Sequence, residues 1–160
     1  MANYIYVGRI VGTHGLKGEL KIISDEVFLD KIFKPNNNLY IGDEYQKEQI
    51  ATYRIHKNYN LVSLTNHQDI NRINDFLNKD VYINKEEIDV EYLLSDLIDC
   101  DIIDDQKYGK VIDIGKGKGC NYLKVKYNKV YFIPIIGEYI KEIDCSNKII
   151  KVRNAKSLII

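Results

Sequence analysis

Apolar and polar side chains alternate along much of this chain, a pattern that predicts β-strands with one buried face. In the first half, the alternation predicts strands over residues 4–11 and 19–23. Further strand-like runs, separated by turn-forming residues, follow at 39–41, 49–56 and 61–64. We therefore expect an antiparallel, barrel-like sheet in this half of the chain.

One helix is predicted to interrupt these strands, over residues 66–80, with Asn66 as its candidate N-cap. Its apolar residues fall on one face at helical spacing: Ile70, Ile73, Phe76 and Leu77. Such a stripe predicts a helix that plugs or flanks the sheet. Residues 81–84 then return to the strand pattern.

The second half predicts a separate domain. We interpret the charged residues 85–91 as a linker between a domain of residues 1–84 and a domain of residues 92–160. Short strand-like runs joined by hairpin compositions predict a second small β-barrel or meander. A cluster at helical spacing predicts a short amphipathic turn docked on this domain: Leu93, Leu94, Leu97 and Ile98. Pro134 cannot donate a ladder hydrogen bond, so its strand should be an edge or carry a bulge.

Composition narrows the class of protein. With 45% hydrophobic and 29% charged residues and two prolines, the chain is expected to fold rather than remain disordered. The N-terminus lacks a signal-like segment, and no apolar run approaches the ~18 residues that span a bilayer, so we expect a cytoplasmic protein without membrane association. Cys100, Cys120 and Cys145 form no C-x-x-C pair. Neither a disulfide framework nor a metal site is predicted, and no cofactor.

Charge is balanced overall, with 23 basic and 23 acidic residues, but it is distributed unevenly. Residues 86–105 carry nine acidic side chains and no basic one, whereas residues 107–129 carry seven lysines and one acid. Such polarity could offer an acidic face to a basic protein and a basic face to phosphates. The alternative is that these charges are solvated strand faces and loops.

Glycine-rich stretches raise the question of a phosphate-binding loop. In "VGRIVGTHGLKGELKI", residues 7–22, the glycine spacing is G-x-x-G-x-x-G, and a strand rather than a helix follows. A dinucleotide loop needs a helix N-terminus for the pyrophosphate, so we interpret this stretch as a glycine-assisted turn. The stretch "GKGKG" fails the same test, although Lys116 and Lys118 suit phosphate contacts. His14 is the best candidate for a general base, but no partner carboxylate is evident, and we predict no enzyme activity.

Several motifs, taken in order along the chain, resemble a known family. The stretch "VGRIVGTHGLKGELKI" resembles the opening of the RimM family of bacterial ribosome maturation factors. The stretch "INRINDFLNKDVYIN" resembles the closing helix and strand of that family's first domain. The stretches "EYLLSDLIDCDI", "YGKVIDI", "GCNYLKV" and "FIPIIGEYIKEIDCSNKIIKV" resemble successive pieces of its second domain.

This resemblance implies a mainly β fold: a translation-factor-like N-terminal barrel and a PRC-type C-terminal barrel, with one or two short helices. It implies a monomeric assembly factor that binds the maturing small (30S) subunit at its head and assists 16S rRNA processing. The implied partners are small-subunit rRNA and a head ribosomal protein, number nineteen of the small-subunit set. Tyr92 matches the first of two family aromatics that contribute to binding this protein, and Leu93 stands at the second. Leu94 occupies a frequent tryptophan position.

The charge pattern is compatible with these partners. An acidic run around the apolar residues can steer and hold a basic protein, and we predict this contact at Tyr92, Leu93, Leu94 and Asp96. The predicted RNA-binding residues are His14, Lys17, Lys116, Lys118 and Lys124. Two alternatives stay open: a general RNA-binding β-barrel module without a ribosomal-protein partner, and a flavin or nucleotide site at the glycine turns.

Overall fold

A computed structural model describes residues 2–67 and 73–159, and the chain divides into two compact units, residues 1–91 and 92–160. Within the described residues there are twelve β-strands in two sheets. Two single-turn α-helices lie wholly within the described residues, α1 (Leu29–Ile32) and α2 (Ala155–Leu158). The predicted mainly β class is therefore confirmed. No helix in residues 2–67 or 73–159 has the length and apolar character needed to cross a membrane.

The first unit is a closed antiparallel barrel with the strand order β1-β2-β5-β4-β3-β6. Its strands are β1 (Tyr4–His14), β2 (Glu19–Ile23), β3 (Asn38–Ile41), β4 (Gln46–His56), β5 (Tyr59–Leu64) and β6 (Asp80–Asn84). All strands expected in this half are present. Three bounds were wrong by two or more residues: β4 begins at Gln46, β5 begins at Tyr59, and β1 continues to His14, which places Gly12 inside the strand. The turn to β2 contains Gly15 and Gly18 at φ +71° and +77°, which confirms a glycine-assisted turn.

Buried apolar side chains fill the interior of this barrel, among them Ile10, Leu20, Ile22, Leu39, Ile50 and Leu61. Burial alternates along β2 and β6, whereas consecutive residues are buried in β3 and β5. Two β-bulges in β1, between Tyr6 and Gly8 and between Ile10 and Gly12, increase the local twist of this long strand. These bulges let one strand pair with both β2 and β6.

The predicted helix falls partly outside the described residues, because residues 68–72, which include Ile70, are not among them. The described part after this segment holds a short 3₁₀ helix, Asn74–Phe76. Ile73 and Phe76 are buried, as the apolar stripe predicted, whereas Leu77 is half-buried. The predicted end of the helix at residue 80 was wrong, because Asp80 begins β6.

The second unit is a six-stranded sheet with the order β10-β9-β8-β7-β12-β11. Its strands are β7 (Asp101–Ile103), β8 (Lys107–Lys116), β9 (Asn121–Lys126), β10 (Val130–Pro134), β11 (Ile140–Asp144) and β12 (Ile149–Val152). β7 and β12 pair in parallel, and the other pairs are antiparallel. Pro134 ends the edge strand β10, which confirms the expectation from its missing donor.

A compact apolar cluster, here called the second core, holds this unit together. Its members are Leu97, Cys100, Ile102, Tyr108, Val111, Leu123, Val125, Tyr131, Ile133, Ile150, Val152 and Ala155. The Tyr131 hydroxyl donates a buried hydrogen bond to the carbonyl of Tyr108 at 2.8 Å. Cys100 is a free thiol in this core, and burial raises its pKa, which keeps it protonated and unreactive.

Candidate binding surfaces

The predicted protein-binding residues lie together at the start of the second unit. Here Leu94–Leu97 form a 3₁₀ helix, and we call Tyr92–Asp96 the Tyr92 turn. Tyr92 and Leu94 are half-buried and pack against the second core. Leu93 is 0% exposed, so its side chain presents no surface to a partner. The apolar surface that this turn offers therefore belongs to Tyr92 and Leu94.

Hydrogen bonds fix both ends of the Tyr92 turn. The Asp96 carboxylate accepts a hydrogen bond from the backbone N–H of Leu93 at 2.9 Å. At the other end, the Lys148 ammonium donates to the carbonyls of Asp96 and Ile98 at 3.3 and 3.4 Å. A cation placed at carbonyls that lack helical partners is favourable. The conformation of the Tyr92 turn is therefore held by hydrogen bonds within the second unit.

Asp96 accordingly has a structural task besides any role toward a partner. We expect Asp96→Ala to lower the free energy of unfolding by about 1 kcal/mol, because the Leu93 N–H loses its acceptor. Asp96→Asn keeps an acceptor oxygen and should lose less. Urea denaturation followed by far-UV circular dichroism measures both variants. Equal stabilities for Asp96→Ala and the parent chain would show that the hydrogen bond contributes nothing.

The predicted lysines of the second unit lie on the hairpin formed by β8 and β9. Lys116 ends β8, Lys118 lies in the connecting turn, and both are exposed. Lys124 lies within β9, directly opposite Phe132 of the edge strand β10. The structure therefore places the three predicted RNA-binding lysines of the second half on one supersecondary element.

An outward face surrounds Lys124, and we call it the lysine–phenylalanine face: Lys110, Ile112, Lys124, Lys126, Val130 and Phe132. Asp113, the cross-strand partner of Lys124 on β8, adds one carboxylate to this face. Alternate residues of β9 and β10 belong to the second core, so the intervening ones point outward. Lys126 is the cross-strand partner of both Lys110 and Val130. Phe132 is 50% exposed and Val130 is 41% exposed. The Lys110 ammonium lies 3.8 Å from the Asp101 carboxylate, and the Lys107 ammonium lies 3.1 Å from the same carboxylate. This ion pair partly neutralises the charge of Lys110.

Sequence reasoning missed Phe132 as a site residue and did not single out Lys110 and Lys126 within the basic residues 107–129. The signal was present in the alternation of "VYFIP", where an inward Tyr131 and Ile133 require an outward Phe132. An exposed aromatic ring between lysines is the combination used to bind single-stranded nucleic acid, because the ring stacks on bases and the ammonium groups meet phosphates.

His14 and Lys17 lie in the first unit, at the β1–β2 turn. The His14 ring lies 5.0 Å from the ring of His56 on β4, a neighbour that sequence reasoning did not identify. The pKa of His56 is lowered, mainly by burial and then by the positive charges of His14 and nearby basic side chains. Glu19 is the cross-strand partner of His14, but its carboxylate accepts two hydrogen bonds from Arg54 at 2.9 and 2.8 Å. This carboxylate therefore serves Arg54 rather than a histidine base.

A cleft of about 640 Å³ opens in the second unit beside β12 and α2. Its described lining is charged with both signs, including Asp105 and Lys156, which form an ion pair at 3.3 Å. None of its described lining residues belongs to either glycine turn. This location gives no support to a flavin or nucleotide site at those turns.

Comparisons with known proteins give a consistent set of similarities. The family model described as the RimM N-terminal domain matches residues 5–88. Proteins named ribosome maturation factor RimM from Staphylococcus haemolyticus and Staphylococcus epidermidis are each 32% identical, covering 97% of this chain and 98% of theirs. A crystal structure of a 16S ribosomal RNA processing protein RimM from Pseudomonas aeruginosa covers 98% of this chain and 100% of its own. It has a TM-score of 0.50 at 19% identity, which is similarity of fold.

Proposed function

The chain belongs to the RimM family of ribosome maturation factors, and from that premise we propose that it assists maturation of the small (30S) ribosomal subunit. The names of its relatives support a role in ribosome maturation, and the Pseudomonas aeruginosa neighbour is named for 16S rRNA processing. In our proposal the chain acts by binding, and it makes or breaks no covalent bond.

At finer detail, we propose contact with the head of the small subunit, through 16S rRNA and the head ribosomal protein number nineteen. The observation that carries the RNA contact is the lysine–phenylalanine face, where Lys124 and Phe132 are direct cross-strand neighbours. The charge of lysines supplies salt-dependent affinity, and the exposed ring supplies stacking. Lys116 and Lys118 extend the positive charge along the same hairpin.

The Tyr92 turn is the proposed contact for the ribosomal protein. Tyr92 and Leu94 supply half-exposed apolar surface on a rigid turn, and preorganisation reduces the entropy lost on binding. The acidic residues Asp96 and Asp99 follow in the chain and can attract a basic partner.

The proposed mechanism is a population shift. Tyr92 and Leu94 pack on the second core, whereas Lys124 and Phe132 point away from it, so protein and RNA can be held by one unit. A factor that binds both in one arrangement favours that folded state of the head over competing states. The chain is released after maturation if the finished subunit presents the bound protein and RNA in a different arrangement.

Co-sedimentation tests the proposal. We expect the purified chain to pellet with free small subunits at moderate salt and not with assembled ribosomes. Equal binding to both particles, or binding lost on a modest rise in salt, would instead favour the alternative of a general RNA-binding module. That alternative draws on the same lysine–phenylalanine face but does not use the Tyr92 turn.

The variant Tyr92→Ala distinguishes the proposed assembly factor from a general RNA-binding module. We expect it to weaken binding to the isolated head ribosomal protein about tenfold, because an aromatic anchor contributes about 1–2 kcal/mol when a partner covers it. Binding to a short single-stranded RNA should be unchanged. Tyr59→Ala, another half-buried tyrosine but in the first unit, is the matched control, and circular dichroism checks the fold of both. Unchanged affinity of Tyr92→Ala for the protein would remove the Tyr92 turn from the mechanism.

A further inference from the structure

Five tyrosines of the first unit form a continuous series of ring contacts, which we call the tyrosine ladder: Tyr40, Tyr4, Tyr45, Tyr82 and Tyr6. The Tyr40 and Tyr4 rings lie 4.8 Å apart, and Tyr4 stacks on Tyr45 at 4.2 Å. Tyr45 meets Tyr82 edge-on at 4.9 Å, and Tyr82 meets Tyr6 edge-on at 6.1 Å. These separations are those of favourable aromatic pairs.

The ladder lies on the outer surface of the barrel. Tyr82 is the cross-strand partner of both Tyr6 and Tyr40, so three rings come from one row across β1, β6 and β3. Val81 and Ile83 are buried on either side of Tyr82, which therefore points outward. Tyr6, at one end of the ladder, is 52% exposed, and Tyr45, in its middle, is 38% exposed, whereas Tyr40 at the other end is buried.

Carboxylates dominate the charged groups around these rings. The Tyr40 hydroxyl donates to Glu87 at 2.8 Å, and burial together with this hydrogen bond raises the pKa of Tyr40 to about 12. Asp80 and Asp25 raise the pKa of Tyr6, after the larger effect of its burial. Asp43 acts in the same direction on the pKa of Tyr82.

Basic side chains oppose these carboxylates in part: the Arg9 guanidinium lies 3.7 Å from Asp80, and the exposed Lys47 is the cross-strand partner of Tyr40. Around Tyr6, two carboxylates, Asp25 and Asp80, face the one guanidinium of Arg9. The rings of Tyr6 and Tyr82 offer electron-rich faces close to the carboxylates of Asp25, Asp80 and Asp43. A cation would be attracted both by the carboxylates and by the ring faces.

We propose that the tyrosine ladder docks an arginine- or lysine-bearing segment of a basic protein. The cationic side chain would lie against Tyr6 or Tyr45, within reach of Asp25, Asp43 or Asp80. The ladder belongs to the first unit, whereas the Tyr92 turn and the lysine–phenylalanine face belong to the second. This proposal rests on the proposed function only because it expects the docked segment to belong to a protein of the maturing subunit.

The test is fluorescence anisotropy with a fluorescein-labelled peptide of alternating arginine and serine, titrated with the full chain. We expect Tyr6→Leu to weaken binding about three- to fivefold, because leucine keeps apolar bulk but has no ring face. Tyr6→Phe keeps the ring and should bind within twofold of the parent chain. Asp25→Asn should also weaken binding, because it removes one carboxylate near Tyr6. Tyr59→Leu, outside the ladder, is the matched control.

Three results would overturn the proposal. The first is equal peptide affinity for Tyr6→Leu and the parent chain in a variant whose thermal melt is unchanged. The second is tighter binding of a labelled oligouridine than of the peptide at the same surface, lost in Tyr6→Leu. The third is self-association in sedimentation velocity that Tyr6→Leu abolishes, which would assign the ladder to a second copy. The peptide titration needs no ribosomal particle, so its outcome stands apart from that of co-sedimentation.

Discussion

Gly109→Ala is expected to destabilise the second unit by about 3 kcal/mol or more, enough to unfold a marginally stable domain. Gly109 lies within β8 at φ +108°, a conformation that side-chain-bearing residues rarely adopt. An added Cβ would lie 2.4 Å from the carbonyl oxygen of Lys126 and 2.9 Å from its carbonyl carbon. Both obstacles are backbone atoms of the neighbouring strand, so no side-chain rotation relieves the overlap.

The strand cannot move aside without a second cost. The preceding residue, Tyr108, is part of the second core, and its carbonyl accepts the buried hydrogen bond from Tyr131. A shift of β8 would break this bond and leave a buried polar group unsatisfied. Steric overlap and the loss of this hydrogen bond therefore act together.

Gly115→Ala is the matched control, because it lies in the same strand with open space around its would-be Cβ. We expect it to change stability by less than about 0.5 kcal/mol. Urea denaturation followed by circular dichroism compares the two variants, and amide hydrogen exchange assigns the loss to residues 92–160. Similar midpoints for both variants would show that β8 and β9 adjust easily.

Much of the fold could be predicted because the alternation of apolar and polar residues is visible in the sequence itself. A strand with one buried face shows it residue by residue, and the missing donor of Pro134 placed β10 at an edge. The end of β1 was wrong because a bulged strand tolerates glycine, so Gly12 signalled a turn where the chain continues. Boundaries at glycine depend on pairing partners that the sequence does not reveal.

The candidate sites were less predictable because they depend on register between distant strands. The tyrosine ladder needs Tyr6, Tyr82 and Tyr40 in one row, and a slip of one residue would turn one strand's side chains inward. Lys148 holds the Tyr92 turn from 52 residues beyond Asp96. The burial of Leu93 likewise comes from packing, since an apolar residue in sequence can serve either a core or a surface.

The double variant Lys124→Glu with Lys126→Glu is expected to lower affinity for single-stranded rRNA fragments about 10- to 100-fold at low salt. Both lysines lie on the lysine–phenylalanine face, and their replacement turns attraction to phosphates into repulsion. The slope of log affinity against log salt should fall by about 1.4 to 1.8, because each phosphate contact contributes about 0.7 to 0.9. Electrophoretic mobility shift at several salt concentrations measures both quantities.

Charge reversal at Lys141 and Lys151 is the control, because it makes the same change in net charge on β11 and β12 of the same unit. If RNA responds only to overall charge, both double variants lose affinity equally, and the lysine–phenylalanine face has no special role. Phe132→Ala then tests stacking separately, since it should lower affinity about tenfold while leaving the salt slope unchanged. If the lysine variant lowers the salt slope and Phe132→Ala lowers the affinity, the face contacts both phosphates and bases. Nonspecific electrostatic attraction does not require contacts to bases.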